Sequence, residues 1–351
     1  MQMSVQNNTS ESRDAAATVA AMAMTAHEPR RDDVVMHALY GETMGTRWRV
    51  QLCASARTPL HDLHAGIQAQ LDAVVAQMST WEPDSDISRY NRAPAATWHV
   101  LPEAFFTVLH CALEIAAASD GAYDPTVAPL VALWGFGAGG GGGHRIPDGD
   151  RIAAARARTG WRRIVLDRES RRVLQPGDAA FDLSAIAKGY AVDAAAQWLR
   201  GRGITAALVD VGGELAGYGR KPDGECWRVL VEAAPDDGDA ENDATPCVIA
   251  LDGCAVATSG DRWHRFESDG RRYTHTLDPR SGRPVGDAPA AVTVIAADAM
   301  HADAWATALT VLGPDAGHAF AQAHGLAARF AVRTEAGNVA RSTRAFDTRL
   351  A

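Results

Sequence analysis

SAIAKGYAVDAAAQWLRGRG, residues 184–203, runs directly into ITAALVDVGGELAGYG, residues 204–219. The first segment has apolar residues at helical spacing and ends with glycines, which predicts a helix. The second consists of small and β-branched residues interrupted by a double glycine, which predicts a buried strand, a tight turn and a second strand. A helix followed by such a strand pair indicates a protein that mixes both kinds of element.

The same two patterns recur on either side. Alternating residues at 38–54 predict a strand pair around a glycine turn, and residues 58–79 and 102–119 have helical spacing. Residues 290–297 predict a further strand, and residues 298–313 a further helix. The strands are too irregularly placed for a doubly wound sheet, so we predict an α/β (mixed α+β) fold.

Length and charge limit the class of protein. The chain has 351 residues, of which 47% are hydrophobic, enough for a substantial core in one large domain or two ordinary ones. Its formal net charge is -9 and no basic stripe is present, which opposes binding to a phosphate backbone. We therefore expect no nucleic-acid partner, although a single bound nucleotide is compatible with this charge.

The N-terminal segment and the cysteines bear on the compartment. Residues 1–35 begin with a polar stretch and contain a short alanine-rich run, too weakly apolar to span a bilayer. We interpret them as a mostly disordered leader and expect no transmembrane segment.

The five cysteines are scattered without a CxxC pair, which argues against structural zinc and against a disulfide framework. A cytoplasmic location is the prediction.

A glycine-rich stretch, GFGAGGGGGHRIPDGD at residues 135–150, invites comparison with phosphate-binding loops. Those loops lie between a strand and a helix and have fixed glycine spacing, and the P-loop ends in GK[ST]. This stretch lacks that ending and follows LWGFG. We interpret it as a linker of variable length.

Residues 182–193, DLSAIAKGYAVD, are the first candidate for a site. Asp182 and Ser184 stand where a helix would be capped, and Lys188 falls in its first turns. Free backbone N–H groups and a lysine at a helix start suit a pyrophosphate. An ordinary helix cap with a surface lysine explains the same residues.

The helix predicted at 298–313 contains the second candidate. Asp303 and Thr307 are four residues apart, so their side chains project from the same side of a helix. Both supply only oxygen, the ligand that Mg²⁺ prefers, and a phosphate with water would have to complete the shell. A solvated helix face or a cap is the alternative.

Three further stretches are weak signals when taken singly. DVGGE at 210–214 permits close backbone approach to a ligand. ATSGD at 257–261 would place small residues after a strand, either against a flat ligand or in a plain turn. HTLDPRSGRP at 275–284 would place His275 on a strand at the edge of a cleft, where it is a candidate general base or a structural histidine.

In order along the chain, these stretches resemble the ApbE family of FAD:protein FMN transferases. The resemblance runs from about residue 40 to residue 313. The segments that carry it are ETMGTRWRV, MSTWEPDSDISRYN, DGAYDPTVAPLVALWGFG, DLSAIAKGYAVD, VDVGGEL, ATSGD, HTLDPRSGRP and AADAMHADAWATALTVLG. Thr276 and Leu277 stand where relatives often have two isoleucines, and Ser281 replaces a common threonine.

The resemblance implies a fold and a reaction. It implies one domain over residues 36–351, with two lobes and FAD in the cleft between them. The implied reaction uses Mg²⁺, cleaves the FAD pyrophosphate and joins FMN through a phosphoester to a Ser or Thr hydroxyl of a partner flavoprotein, with AMP as leaving group. No acceptor motif of the family's kind occurs in this chain, so we expect the acceptor to be a separate protein.

The resemblance also implies roles for individual residues. His275 matches the residue that takes the proton from the acceptor hydroxyl. Asp303 and Thr307 match magnesium ligands, and Ala185 matches a position that contributes its backbone carbonyl to the same ion. The positions that match FAD contacts are Met44, Trp81, Ala122, Tyr123, Asp124, Asp182, Lys188 and Leu277. Trp81 stands where many relatives have Tyr and keeps an aromatic stacking face.

Two other activities fit the same residues. A Mg²⁺-dependent FAD pyrophosphatase would use water in place of the protein hydroxyl and release FMN and AMP without an acceptor. A flavin-binding protein without catalysis would need neither a general base nor a metal pair, so His275, Asp303 and Thr307 argue against it.

Overall fold

The computed structural model describes residues 34–138, 146–232, 246–260, 265–268, 270–286, 290–335 and 337–351. Most of the predicted leader and the run of glycines within residues 135–150 lie outside these ranges. So does Asp261 of the ATSGD stretch. In the described part of the chain, helices and strands alternate as the sequence predicts, and the mixed α/β prediction is confirmed.

The strands, in chain order, are β1 Val34–Thr43, β2 Thr46–Ser55, β3 Thr97–Val100, β4 Val165–Asp167, β5 Arg172–Gln175, β6 Ala206–Val211, β7 Glu214–Tyr218, β8 Trp227–Val231, β9 Cys247–Leu251, β10 Cys254–Gly260, β11 Arg265–Ser268, β12 Arg271–Thr274, β13 Leu277–Asp278, β14 Arg283–Pro284, β15 Ala291–Ala296, β16 Ala327–Thr334 and β17 Gly337–Ser342. Eight of them form the main sheet in the order β1-β2-β6-β7-β10-β15-β16-β17. Each neighbouring pair in this sheet is antiparallel.

The helices, in chain order, are α1 Leu60–Met78, α2 Asp86–Asn91, α3 Glu103–Ala118, α4 Ala128–Trp134, α5 Gly149–Ala157, α6 Ala187–Gly201, α7 Ala299–Leu312, α8 Pro314–Ala323 and α9 Arg344–Asp347. None of the described helices has the length and apolarity needed to cross a membrane.

The main core lies between one face of the sheet and the helices α1, α3, α6 and α7. Along β2, β6 and β7 alternate residues point to this face, which we call the inner face. Val50 of β2, Val209 of β6 and Ala216 of β7 belong to the core there, together with Leu199 of α6 and Ala304 of α7. The opposite face is covered in part by the hairpin β8–β9, whose Trp227 and Ile249 form a second cluster.

One local expectation is wrong, since His275 lies in a bend between β12 and β13 rather than on a strand. Two boundaries also differ. The strand β1 begins at Val34, two residues before the expected start of the domain. Thr258 and Ser259 lie within β10 rather than after it, because this strand stays paired with β15 as far as Gly260.

The helix predicted to begin near Asp182 begins at Ala187, with Ile186 at its N-cap and no side-chain cap. Asp182 instead accepts hydrogen bonds from the backbone N–H and the hydroxyl of Ser184, at 2.9 and 2.6 Å. Its carboxylate thereby stabilises a turn that precedes the helix. Lys188 does fall in the first turn, as expected.

Candidate active site

Helices α6 and α7 pack tightly against each other at Gly189. A Cβ built on this residue would lie 2.2 Å from the carbonyl oxygen of Ala299, so only a glycine fits here. Gly189 is in the first turn of α6, where backbone N–H groups have no partner within the helix. Its N–H donates instead to Oδ2 of Asp303 on α7, at 3.1 Å. The close approach of the two helices therefore fixes the orientation of the Asp303 carboxylate.

Two carboxylates and one ammonium lie together beside this contact. The ammonium of Lys188 forms an ion pair with Oε1 of Glu214, the first residue of β7. Glu214 and Asp303 are 3% and 6% exposed, so water is largely excluded from the two carboxylates, whereas the Lys188 side chain is partly exposed. Of this group, sequence reasoning gave roles to Lys188 and Asp303 and named Glu214 only as part of the DVGGE stretch.

The pKa values of these groups reflect burial and mutual charge. Burial raises the pKa of Asp303, with partial opposition from Lys188 and the Gly189 N–H. Burial, with the nearby Asp303 charge, raises the pKa of Glu214 to about 7 against the lowering effect of Lys188. Burial alone would lower the pKa of Lys188, but the two carboxylates outweigh it and raise the pKa. One ammonium thus faces two acidic side chains in this cluster.

The segment Ala122–Tyr123–Asp124 is buried beside this cluster. Burial raises the pKa of the Tyr123 phenol well above its ordinary value, and the charge of Asp303 adds to the effect. The phenol oxygen has no hydrogen-bond partner among the described residues. Asp124 accepts from the N–H and hydroxyl of Thr126 and from the N–H of Trp161. Its carboxylate is therefore occupied in holding two loops together.

A backbone hydrogen bond joins two of the sequence-predicted segments. The N–H of Asp182 donates to the carbonyl oxygen of Pro125, at 2.9 Å. This contact places the turn that contains Ala185 next to the segment that contains Tyr123. Ala185 is half-buried in that turn, two residues before α6 begins.

Thr307 lies one turn beyond Asp303 on α7 and is half-buried. No hydrogen bond joins its hydroxyl to another described residue. Within the described ranges, no three His, Cys, Asp or Glu side chains are grouped as metal ligands. The candidate ligands in this chain are the Asp303 carboxylate, the Thr307 hydroxyl and the Ala185 carbonyl. Only Asp303 is one of these four residue types, so the three ligands do not count as such a group.

Met44 lies in the two-residue turn between β1 and β2. Met44 and Gly45 have φ values of +50° and +70°, a conformation that is strained for methionine. The turn lies beside the β6–β7 turn, because the N–H of Gly212 donates to the carbonyl of Arg47 at 3.0 Å. Glu214 is the second residue after Gly212, so Met44 and the charge cluster are at the same end of these strands.

Trp81 is 69% exposed, in the turn between α1 and α2. An indole of this exposure has a face that a flat ligand can cover. Its position relative to the charge cluster is not fixed by any contact between the two.

His275 and Leu277 belong to a second group around α4. The rings of His275 and Phe136 meet edge to face, with centroids 6.5 Å apart. The side chain of Leu277 is buried with Leu130 and Trp134. The indole N–H of Trp134 donates to the carbonyl of Gly282 at 2.9 Å, which fixes the turn after Leu277 against α4. Since α4 directly follows the Ala122–Asp124 segment, this helix connects the two groups.

A cavity of about 500 Å³ lies at the far end of the sheet, where Cys254, Ile295 and Ala327 are among its lining residues. None of the sequence-predicted site residues lines it. The chemistry-bearing residues and this cavity are therefore separate features of the molecule.

Residues 44–330 match the model of the ApbE family. The chain belongs to the ApbE family. It is 37% identical over 302 residues to an FAD:protein FMN transferase of Klebsiella pneumoniae, and 39% identical over 275 residues to one of Salmonella typhimurium. These alignments cover 85% and 77% of this chain, and the same shares of the two relatives.

Solved ApbE structures have the same fold. The apo form of the flavinyl transferase ApbE from Pseudomonas stutzeri matches with a TM-score of 0.82 and 41% identity, over 90% of this chain and 97% of the other. The flavin transferase ApbE from Vibrio cholerae matches with a TM-score of 0.82 and 32% identity, over 90% and 100%. The predicted ApbE-like fold is confirmed.

Glu214 is the candidate site residue to which the sequence reasoning gave no role in this ApbE family member. The signal was available, since Glu214 alternates with Ala216 and Tyr218 along a buried strand, and a carboxylate at an inward position needs a partner. What the sequence could not provide was the identity of that partner. Lys188 is 26 residues away along the chain, and only the packing of α6 on the sheet brings it to Glu214.

Proposed function

We propose that this chain is an FAD:protein FMN transferase that joins FMN through a phosphoester to a Ser or Thr hydroxyl of a separate flavoprotein and releases AMP. The activity named for its relatives supports this reaction class. The observation that carries the proposal is the buried cluster of Lys188, Glu214 and Asp303, which has one cation for two acids. A dinucleotide pyrophosphate with a divalent cation would suit this cluster.

The residues present fit Mg²⁺. Asp303 and Thr307 offer a carboxylate and a hydroxyl on one side of α7, and Ala185 would add its backbone carbonyl. Oxygen ligands from few protein groups, completed by phosphate and water, are usual for Mg²⁺. The cluster also has two acidic side chains for one ammonium, so a further cation there would offset the charge of the carboxylates.

The FAD contacts are proposed from the same set of segments. Trp81 would stack on a ring of the dinucleotide, and Met44 would lie against it from the strained turn between β1 and β2. Lys188 would face the pyrophosphate. Because the side chain of Asp124 is already hydrogen-bonded, the Ala122–Asp124 segment would act through its backbone. Asp182 and Leu277 would border the ligand from the two turns that contain them.

The reaction requires an in-line displacement at the FMN phosphorus. The acceptor hydroxyl oxygen forms the new bond to phosphorus, the bond from phosphorus to the AMP oxygen breaks, and His275 takes the hydroxyl proton. The magnesium ion would neutralise charge on the pyrophosphate when bound. Lys188 would hold the pyrophosphate in position by its positive charge.

The decisive experiment incubates the protein with FAD, MgCl₂ and a candidate acceptor flavoprotein, and detects an FMN adduct on a Ser or Thr by mass spectrometry. We expect the adduct with MgCl₂ and none with excess EDTA. His275→Ala should keep FAD binding, measured by flavin fluorescence, while transfer slows at least ~10²-fold, the usual effect of removing a general base.

Two outcomes would contradict the proposal. Release of free FMN and AMP at the same rate with and without acceptor would make the protein an FAD pyrophosphatase. Transfer at an unchanged rate in His275→Ala would assign the base to another group. Tyr273→Phe, on the strand that precedes His275, is the matched control and should leave transfer unchanged.

The cytoplasmic location belongs to the same proposal. All five cysteines lie in the described residues and none forms a disulfide. Free thiols, three of them buried, are what a reducing compartment permits.

A further inference from the structure

Glu214 is held rigidly at the edge of the charge cluster. It is the first residue after the Gly212–Gly213 turn, where both glycines have positive φ values of +66° and +106°. The N–H of Gly213 donates to Asp210 at 3.0 Å, and Glu214 is paired with Val211 across the β6–β7 hairpin. These contacts hold the backbone of Glu214 within the hairpin.

The side chain of Glu214 has one partner for its charge. Oε1 accepts from the Lys188 ammonium, whereas the buried Oε2 has no hydrogen bond from any described residue. Lys188 is the described group that offsets this carboxylate. A buried carboxylate without such a partner would be costly, so the ammonium is strongly attracted to Glu214.

Lys188 has a second carboxylate within electrostatic reach, that of Asp303. The ammonium is on a flexible four-carbon stem, whereas Asp303 is fixed by the Gly189 N–H. If Glu214 were neutral or absent, the ammonium would turn to Asp303. It would then occupy the carboxylate and repel any divalent cation that approached it.

We propose that Glu214 is a positioning residue that holds the Lys188 ammonium away from Asp303 and so keeps the Asp303 carboxylate available to a divalent cation. Glu214 is not a ligand in this account and acts through Lys188. The inference rests on the proposed function in one respect, since it takes Asp303 as the cation ligand.

The test measures the binding of Mn²⁺ by electron paramagnetic resonance at pH 8, with FAD at a concentration that saturates each variant. Glu214→Gln keeps the shape of the side chain and removes its charge. It should weaken Mn²⁺ binding at least ~10-fold, because the freed ammonium competes for Asp303. Adding Lys188→Met to Glu214→Gln removes the competitor and should restore the affinity to within ~3-fold of Lys188→Met alone.

Lys188→Met by itself gives the reference affinity for the double variant, because the contact of Lys188 with the pyrophosphate is lost in both. Restored binding in the double variant also shows that a protein carrying Glu214→Gln folds. Thr307→Ala is the matched control. It should also weaken Mn²⁺ binding, but Lys188→Met should not restore it, because a lost ligand cannot be replaced by removing a lysine.

The outcomes separate this inference from the proposed function. Unchanged Mn²⁺ affinity in Glu214→Gln would overturn it, and so would weaker binding that Lys188→Met fails to restore, since Glu214 would then have a merely structural role. Absence of Mn²⁺ binding in the unmodified protein would refute the cation site of the proposed function, and with it this inference.

Discussion

Gly189 has no side chain because two helices meet at its α-carbon. An added Cβ would lie 2.2 Å from the Ala299 carbonyl oxygen and 2.9 Å from Cβ of Asp303, distances that real atoms do not adopt. Since both neighbours belong to α7, the strain can be relieved only by moving that helix. The single hydrogen bond that orients Asp303 comes from the same residue. One glycine thus determines both the spacing of the helices and the direction of the carboxylate.

Gly189→Ala should therefore destabilise the protein although alanine favours helices. We expect the free energy of unfolding to fall by ~1–3 kcal/mol, the usual cost of an overpacked interior. Urea titration followed by circular dichroism measures it.

Gly201→Ala is the matched control on the same helix. A Cβ added there would meet nothing within 4 Å, so this change should leave stability unchanged or raise it by up to ~1 kcal/mol. Equal changes in the free energy of unfolding in the two variants would show that the contact between α6 and α7 at Gly189 does not determine stability.

The start of α7 is held by two carboxylates, one on the neighbouring helix α6 and one at the N-cap of α7 itself. The N–H groups of Ala299 and Met300 donate to the two oxygens of Asp193 on α6, each at 2.9 Å. Asp298 accepts from the N–H of His301 at 2.9 Å as the N-cap. These bonds satisfy three N–H groups that a helix start leaves free, and they join α7 to α6.

Asp193 should make stability depend on pH. Burial raises its pKa from 3.8 to about 6, with a further contribution from Asp298 and opposition from the two N–H groups and His301. A pKa that is higher in the folded state favours folding below about pH 4, and this contribution is lost as the pH rises through 6.

Ionisation of Asp193 should lower the free energy of unfolding by up to ~3 kcal/mol between pH 4 and pH 7.5. Asp193→Asn should remove this decrease. Urea titrations at a series of pH values measure this slope. Asp315→Asn, which changes an exposed carboxylate paired with Arg341, should leave the slope as it is. A slope in Asp193→Asn equal to that of the unmodified protein would show that this carboxylate does not titrate in the folded state.

Local pattern predicted the elements better than their ends. The spacing of apolar residues predicted α7, β6 and β7, because all residues that form such a pattern lie within one short segment of the chain. The start of α6 was predicted too early because Asp182 and Ser184 have the composition of a helix cap. Here the same residues form a hydrogen-bonded turn instead, and the two arrangements share one sequence signal.

For the whole molecule, the pairing of distant strands was beyond the sequence. The sheet brings β7 next to β10, and β10 next to β15, across connections that no local pattern encodes. The same limit explains why Lys188 and Asp303 were given roles while their shared neighbour Glu214 was named only as part of the DVGGE stretch. Residues that meet only through tertiary packing have no common signature in a single chain.

The central claim is that a divalent cation binds between Asp303 on α7 and the pyrophosphate of FAD. The most direct measurement is an anomalous difference map from crystals soaked with MnCl₂ and FAD. We predict one peak about 2.1 Å from an Asp303 carboxylate oxygen and from the Thr307 hydroxyl, with the FAD phosphates as further ligands. A peak elsewhere, or FAD bound with both side chains turned away from any ion, would contradict the account.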